Sequence, residues 1–160
     1  MKNHINNPAK MMNQINMVFW IMFAAAVLFS GAVYDYFQGM DELIKSLETR
    51  SILKYIVIFV SLAGIPVVYM FFRRKIINID RSIPLYDKLN QYRIFFIIKL
   101  ALLEGMVLFS LIVYLTSKIE DVLYLTGAIL LVFLINRPTP ERVSGEMGFT
   151  KEETDQLRIG

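Results

Sequence analysis

Apolar residues in this chain gather into four long blocks, separated by shorter stretches that hold most of the charge. The first block runs from about Met17 to Phe37, with Asp35 near its far end as its only charge. The second, about Ile52 to Phe72, has Lys54 near its start. The third, about Ile94 to Thr116, contains Lys99 and Glu104, and the fourth, about Asp121 to Asn136, is the shortest. Crossing a hydrocarbon core takes about 20 apolar residues, or about 17 at the low end. Three blocks meet that length, and the fourth borrows Ile119 and Glu120 from the turn before it. A helix of a soluble bundle keeps a polar face at a period of about 3.6 residues, whereas Met17 to Val33 and Tyr55 to Phe72 carry no charge on any face. The pattern predicts an all-α membrane protein whose four transmembrane helices form an antiparallel bundle.

The connectors give that bundle a direction. Lys2 and Lys10 precede the first span; Arg73, Arg74, Lys75, Arg81, Lys88 and Arg93 separate the second from the third; Arg137, Arg142, Lys151 and Arg158 follow the fourth. Only Lys45, Arg50 and Lys118 lie on the opposite side. Basic residues collect on the cytoplasmic side of short loops, so both termini and the middle connector are expected in the cytoplasm, with the chain a multi-pass protein of the inner (cytoplasmic) membrane. The expected divisions are a cytoplasmic N-terminal tail over 1–16, a four-helix transmembrane domain over 17–136, and a cytoplasmic C-terminal tail with a short helix over 137–160. No signal peptide is evident, and the first apolar segment is expected to be retained.

Several local signals refine this plan. Asn7-Pro8 reads as a helix start. It opens either a membrane-surface helix carrying Met11, Met12 and Ile15 or a plain extension of the first span. Between the first two spans, Leu43, Ile44 and Leu47 stand among Asp41, Glu42, Lys45 and Glu48 in the pattern of a short amphipathic helix. Gly64 and Pro66 predict a kink in the second span. Arg73, Arg74 and Lys75, with Arg93, are expected among lipid headgroups. Lys99, about 7 to 8 Å inside the inner edge, is expected to extend its ammonium back to them. Ser82-Ile83-Pro84 marks the start of the third helix, and a tight turn near Ser117 to Glu120 joins the third to the fourth. Thr150 and Glu153 fit a capping box opening a helix that ends at about Arg158.

Glu104 carries the chemical interest. Ten residues beyond Ile94, at about 1.5 Å each, it is expected about 15 Å deep, near the bilayer midplane. An ionised carboxylate there costs from about 2.5 to well over 10 kcal/mol, so it must pair, face water or bind a proton. Lys99 stands about 140° away around the helix and is badly placed as a partner. Ser30, Ser61 and Tyr69 are candidate hydrogen-bond partners from other helices, while Ala101 and Gly105 permit close helix approach. Glu104 either holds helices together or exchanges a proton in transport.

The run Leu102-Leu103-Glu104-Gly105-Met106-Val107-Leu108-Phe109-Ser110-Leu111-Ile112-Val113-Tyr114-Leu115 resembles the carboxylate-bearing helix of rotary ATP synthase c subunits (proteolipids). The likeness extends over residues 92–116. It implies that Glu104 binds the translocated proton or sodium ion, with the basic connector in the place of the family's polar loop. Two departures stand beside it: the second span has Gly64 alone where that family is glycine-rich, and two further spans flank the hairpin.

Composition narrows the function classes. Hydrophobic residues make up 56% of the 160 and the net charge is +3. The positive charge is accounted for by the membrane edge, and no nucleic-acid partner is expected. With one His, His4, and no Cys, thiol chemistry and thiolate metal sites are excluded. Ser144-Gly145 lacks the flanks of a nucleophile elbow and no phosphate-binding glycine loop occurs. The expectation is a non-enzymatic protein without catalytic residues, metal or cofactor. Its partners are the lipid bilayer and either further copies of itself or other membrane subunits. The alternative is proton-linked translocation of an ion or small solute through Glu104.

Overall fold

The computed structural model describes residues 7–37, 39, 43 and 46–158, Phe37 by its backbone alone. The described residues form helices and turns, without strands: α1 (Pro8–Phe37), α2 (Leu47–Ile77), α3 (Leu85–Ser117), α4 (Glu120–Ile135), α5 (Pro140–Met147) and α6 (Lys151–Arg158). Three of them, α1 to α3, are long and apolar enough to cross a membrane. The fourth, α4, has 16 residues and reaches that standard only together with α5, from which it is bent by 83°. The chain is a helical membrane protein with three candidate spans, or four if the bent pair counts as one.

Four of the six helices start where a side chain accepts from their first amide groups, and α3 and α4 start without such a cap. Asn7 Oδ1 accepts from the N–H groups of Ala9 (2.9 Å) and Lys10 (3.3 Å), with Pro8 in the first turn where its missing donor costs nothing. Ser46 caps α2 by accepting from Thr49 N–H, so this helix begins five residues before the expected Ile52. The amphipathic helix expected between the first two spans falls largely outside the described residues; Leu47, Glu48 and Ser51 belong to α2. Pro84 precedes α3 as expected. Lys118, with φ of 52°, closes α3 by donating its N–H to Tyr114 O at 2.7 Å, and the turn to α4 is as tight as the spacing predicted. Thr150 and Glu153 exchange the reciprocal bonds of a capping box, 3.0 and 3.2 Å.

Helix α3 stands at the centre, packed against α1, α2 and α4. Its most apolar stretch is 44% buried, against 17% for α1 and 22% for α2, which identifies those two as peripheral. Two apolar clusters fill the interior. One holds Phe19, Phe72, Phe96 and Phe133 with residues of α5 and α6; the other holds Val33, Val57, Val107 and Ile129. The early parts of α1 and α3 share the first cluster and their late parts the second, so these two helices run parallel while α2 and α4 return. Between α3 and α4, the hydroxyls of Ser110 and Thr126 meet at 2.7 Å, a polar tie inside an apolar seam.

The described residues of both expected tails join the bundle. Ala9, Met11, Met12 and Ile15 are at most 3% exposed, so residues 8–16 are the first turns of α1 and pack into the core. Apolar residues spaced along one face pack inward wherever a neighbouring element covers that face, and here α3 and α6 do so. After α4, the tail forms two helices instead of one, and they fold back as a cap. Thr139 caps α5, Gly148 at φ 65° ends it, and Val143 and Leu157 are buried. Lys88 of α3 holds Glu153 of α6 at 2.9 Å, and Arg158 holds Glu141 at 2.8 Å.

Candidate functional site

The end of the bundle formed by the starts of α1 and α3, the close of α2, and α5 and α6 is here termed the basic end. A polar network lies inside it. Tyr92, fully buried on α3, donates its hydroxyl to Glu146 Oε2 at 2.7 Å. Arg142, one turn before Glu146 on α5, donates Nε to the other carboxylate oxygen at 3.2 Å. The same guanidinium bonds Asn136 Oδ1 at 3.2 Å and the carbonyl of Ile135, tying down the end of α4. Asn136, itself fully buried, donates its amide to the Tyr69 hydroxyl on α2 and to Val132 O. Four helices are thus joined through one carboxylate, one guanidinium and one amide.

Lys99 borders this network without hydrogen-bonding to it. The residue is 1% exposed, and its ammonium lies over the rings of Tyr69 (4.5 Å) and Phe72 (4.4 Å). No described carboxylate forms an ion pair with it. Two desolvated ring faces recover about 2 kcal/mol each, whereas burying an ammonium costs several. Its own chain thus gives the ammonium ring faces but no hydrogen-bond acceptor. It faces a cavity of 480 Å³ lined by α2 (Tyr69, Met70, Phe72, Arg73, Ile76, Ile77), by Lys99 of α3, and by Gly145 and Glu146 of α5. Chemically, such a place can take up negative charge.

No protein-family model, curated protein or solved structure matches the chain.

The residues expected to act are dispersed. Arg73, Arg74 and Lys75 are exposed, Lys75 with its ammonium 5.6 Å from the Phe71 ring centre. Arg93 is half-buried and donates to Gln14 of α1 at 3.3 Å. Lys99 departs from expectation: its side chain turns inward between α2 and α5 and is 1% exposed. The reason is angular, since Lys99 lies on the face of α3 that packs on α2, where its ammonium meets the rings of Tyr69 and Phe72. Gly64 and Pro66 lie within an uninterrupted α2. A Cβ on Gly64 would come within 2.6 Å of Met106 Cε, so this glycine makes room for α3.

Glu104 is half-buried on α3, and no described residue hydrogen-bonds or pairs with its carboxyl. The three hydroxyls expected to reach it bond elsewhere. Ser30 donates to Ala26 O at 2.7 Å and Ser61 to Val57 O at 2.8 Å, each satisfying itself on its own helix, while Tyr69 accepts from Asn136. Among the described residues no three His, Cys, Asp or Glu side chains gather into a metal-holding group. Sequence reasoning missed Tyr92, Asn136, Arg142 and Glu146. The available signal was the Arg142–Glu146 spacing of one helical turn between Thr139-Pro140 and Gly148, which marks a capped helix with a charged stripe.

Proposed function

We propose that this chain is a four-span protein of the inner membrane, with both termini in the cytoplasm, working without enzymatic chemistry as a subunit of a membrane assembly. The partner is a further copy of the chain or another membrane subunit. The basic residues at the N-terminal, middle and C-terminal segments support the orientation. Helix α4, at about 24 Å, is short for a hydrocarbon core of about 30 Å, and local thinning of the bilayer accommodates a span of that length.

The observation that carries the proposal is the outward face of α3. Ile98, Ala101, Leu102, Gly105, Leu108 and Ile112 are exposed along it, and a Cβ on Gly105 would meet nothing within 4 Å. Glu104 lies at the edge of this stripe, about 60° around the helix from Ala101. In lipid, apolar exposure alone drives no association; close approach at small residues and an unsatisfied polar group do. A neighbouring helix laid along the stripe covers Ala101 and Gly105 and brings a hydrogen-bonding group to the carboxyl.

The test is particle size in a mild detergent, by light scattering or native mass spectrometry. Wild type is expected as an oligomer or with a stoichiometric membrane partner, and Gly105→Leu is expected to release the single chain. A wild type that is monomeric and partnerless removes the proposal. Vesicle reconstitution addresses the other use of the same carboxyl. Proton flux above background in wild type and absent in Glu104→Gln would replace assembly with translocation, the role that the c-subunit resemblance implies.

A further inference from the structure

The cavity at the basic end has a buried cation with no acceptor and an exposed cation at its rim, and its remaining wall is mostly apolar. We propose that it binds a phosphate group, with Lys99 and Arg73 as the two ligands, and that the group belongs to an anionic phospholipid. The proposal is independent of whether α3 mediates assembly.

Charge selects the ligand class. Glu146 also lines the cavity, but its Oε2 is taken by Tyr92 and its Oε1 by Arg142, which offsets its charge. Lys99 and Arg73 are left as surplus positive charge from two different helices. Lys99 is 1% exposed and lines the cavity, so an oxyanion entering it meets an ammonium that has no hydrogen-bond acceptor within the chain. Arg73 adds a planar fork suited to two oxygens of one phosphate. A ligand with positive charge would gain only Glu146, which is already satisfied.

Size and lining select the source. At 480 Å³ the cavity far exceeds a bare phosphate ion, and Met70, Phe72, Ile76 and Ile77 form the rest of its wall. Met70 and Ile77 are 55% and 60% exposed, which opens that wall toward the outer surface of α2 and the lipid. A glycerol backbone with the first methylenes of its acyl chains fits this apolar side while the phosphate reaches Lys99. Free phosphate shares the chemistry but leaves the apolar wall unused.

The test uses the full chain, stripped of lipid in a neutral maltoside detergent. It is titrated separately with short-chain phosphatidylglycerol, short-chain phosphatidylcholine and sodium phosphate. Thermal midpoint and native mass spectrometry report binding. Phosphatidylglycerol is expected to bind one per chain and raise the midpoint, with phosphatidylcholine at least about tenfold weaker, because the second headgroup cancels the charge the site reads. Lys99→Met is expected to abolish the phosphatidylglycerol response while leaving the lipid-free protein at least as stable, since it removes a buried charge. Arg73→Gln, at an exposed position, keeps the fold and decides the matter if Lys99→Met does not accumulate; a loss of about tenfold is expected, and Lys151→Gln should change nothing. A full response to sodium phosphate alone would keep the site and assign it to the free ion. Equal binding of both lipids, or Arg73→Gln and Lys99→Met binding as wild type, overturns the proposal.

Discussion

Lys99 and Glu104 stand five residues apart on α3 and meet opposite surroundings. Lys99 is enclosed by α2 and α5, with two aromatic rings against its ammonium. Glu104, half-buried, has no described partner at the edge of a stripe that α1, α2 and α4 leave open. Depth along the helix would predict the reverse, because the residue nearer the membrane edge has the easier route to water. Direction around the helix overrides depth. A charge on a packed face meets what its own bundle supplies, here two rings without an acceptor, and a charge on an open face meets only what lies outside the chain.

This contrast can be broken most forcefully from the Lys99 side. Glu146→Ala removes the acceptor of the fully buried Tyr92 hydroxyl and frees Arg142. It should cost about 3 kcal/mol, read from unfolding in mixed micelles. The equivalent removal of Glu104 should cost almost nothing within one chain. Thr150→Ala dismantles the capping box that seats α6 over the basic end and should cost about 1 kcal/mol, confined to faster hydrogen exchange in α6. On the other side of the contrast, Ser110→Ala cuts the Ser110–Thr126 tie between α3 and α4 and should cost about 0.6 kcal/mol in the same micelle titration. That small value would show the seam near Glu104 held by packing more than by polar bonds.

Acid offers the mildest perturbation. Burial pushes the Glu153 carboxyl up, but the Lys88 ammonium and the Thr150 N–H outweigh it and hold the group below its ordinary value. A depressed folded value means that the contribution is complete above the unfolded value of about 4.3 and fades as pH falls through the lower folded one. Amide chemical shifts of α6, followed by NMR from about pH 6 to about pH 3, should therefore report its detachment only at the acidic end.

Much of the fold was legible in the chain because lipid leaves few choices. Long uncharged blocks become helices, Pro84 opens α3, a tight turn near Ser117 to Glu120 ends it, and Thr150 with Glu153 caps α6. What could not be read was which face of each helix finds a neighbour. Met11, Met12 and Ile15 look the same whether they meet lipid or α3. The inward turn of Lys99 depends on Tyr69 and Phe72, about thirty residues earlier, and the network on Glu146, about fifty later. Such pairings are set by tertiary packing, to which hydropathy along the chain is blind. Glu104 was legible as unusual, but its lack of a partner was not.

Lys99 faces inward and Glu104 outward, and one paired measurement addresses both. Lys99→Met and Glu104→Leu are prepared in mild detergent, and each is compared with wild type for unfolding of the dilute single chain and for association at higher concentration. Lys99→Met should change single-chain stability upward and leave association intact. Glu104→Leu should leave stability within about 0.5 kcal/mol and weaken association. The opposite pairing, with Glu104→Leu altering the fold and Lys99→Met altering assembly, would contradict the account.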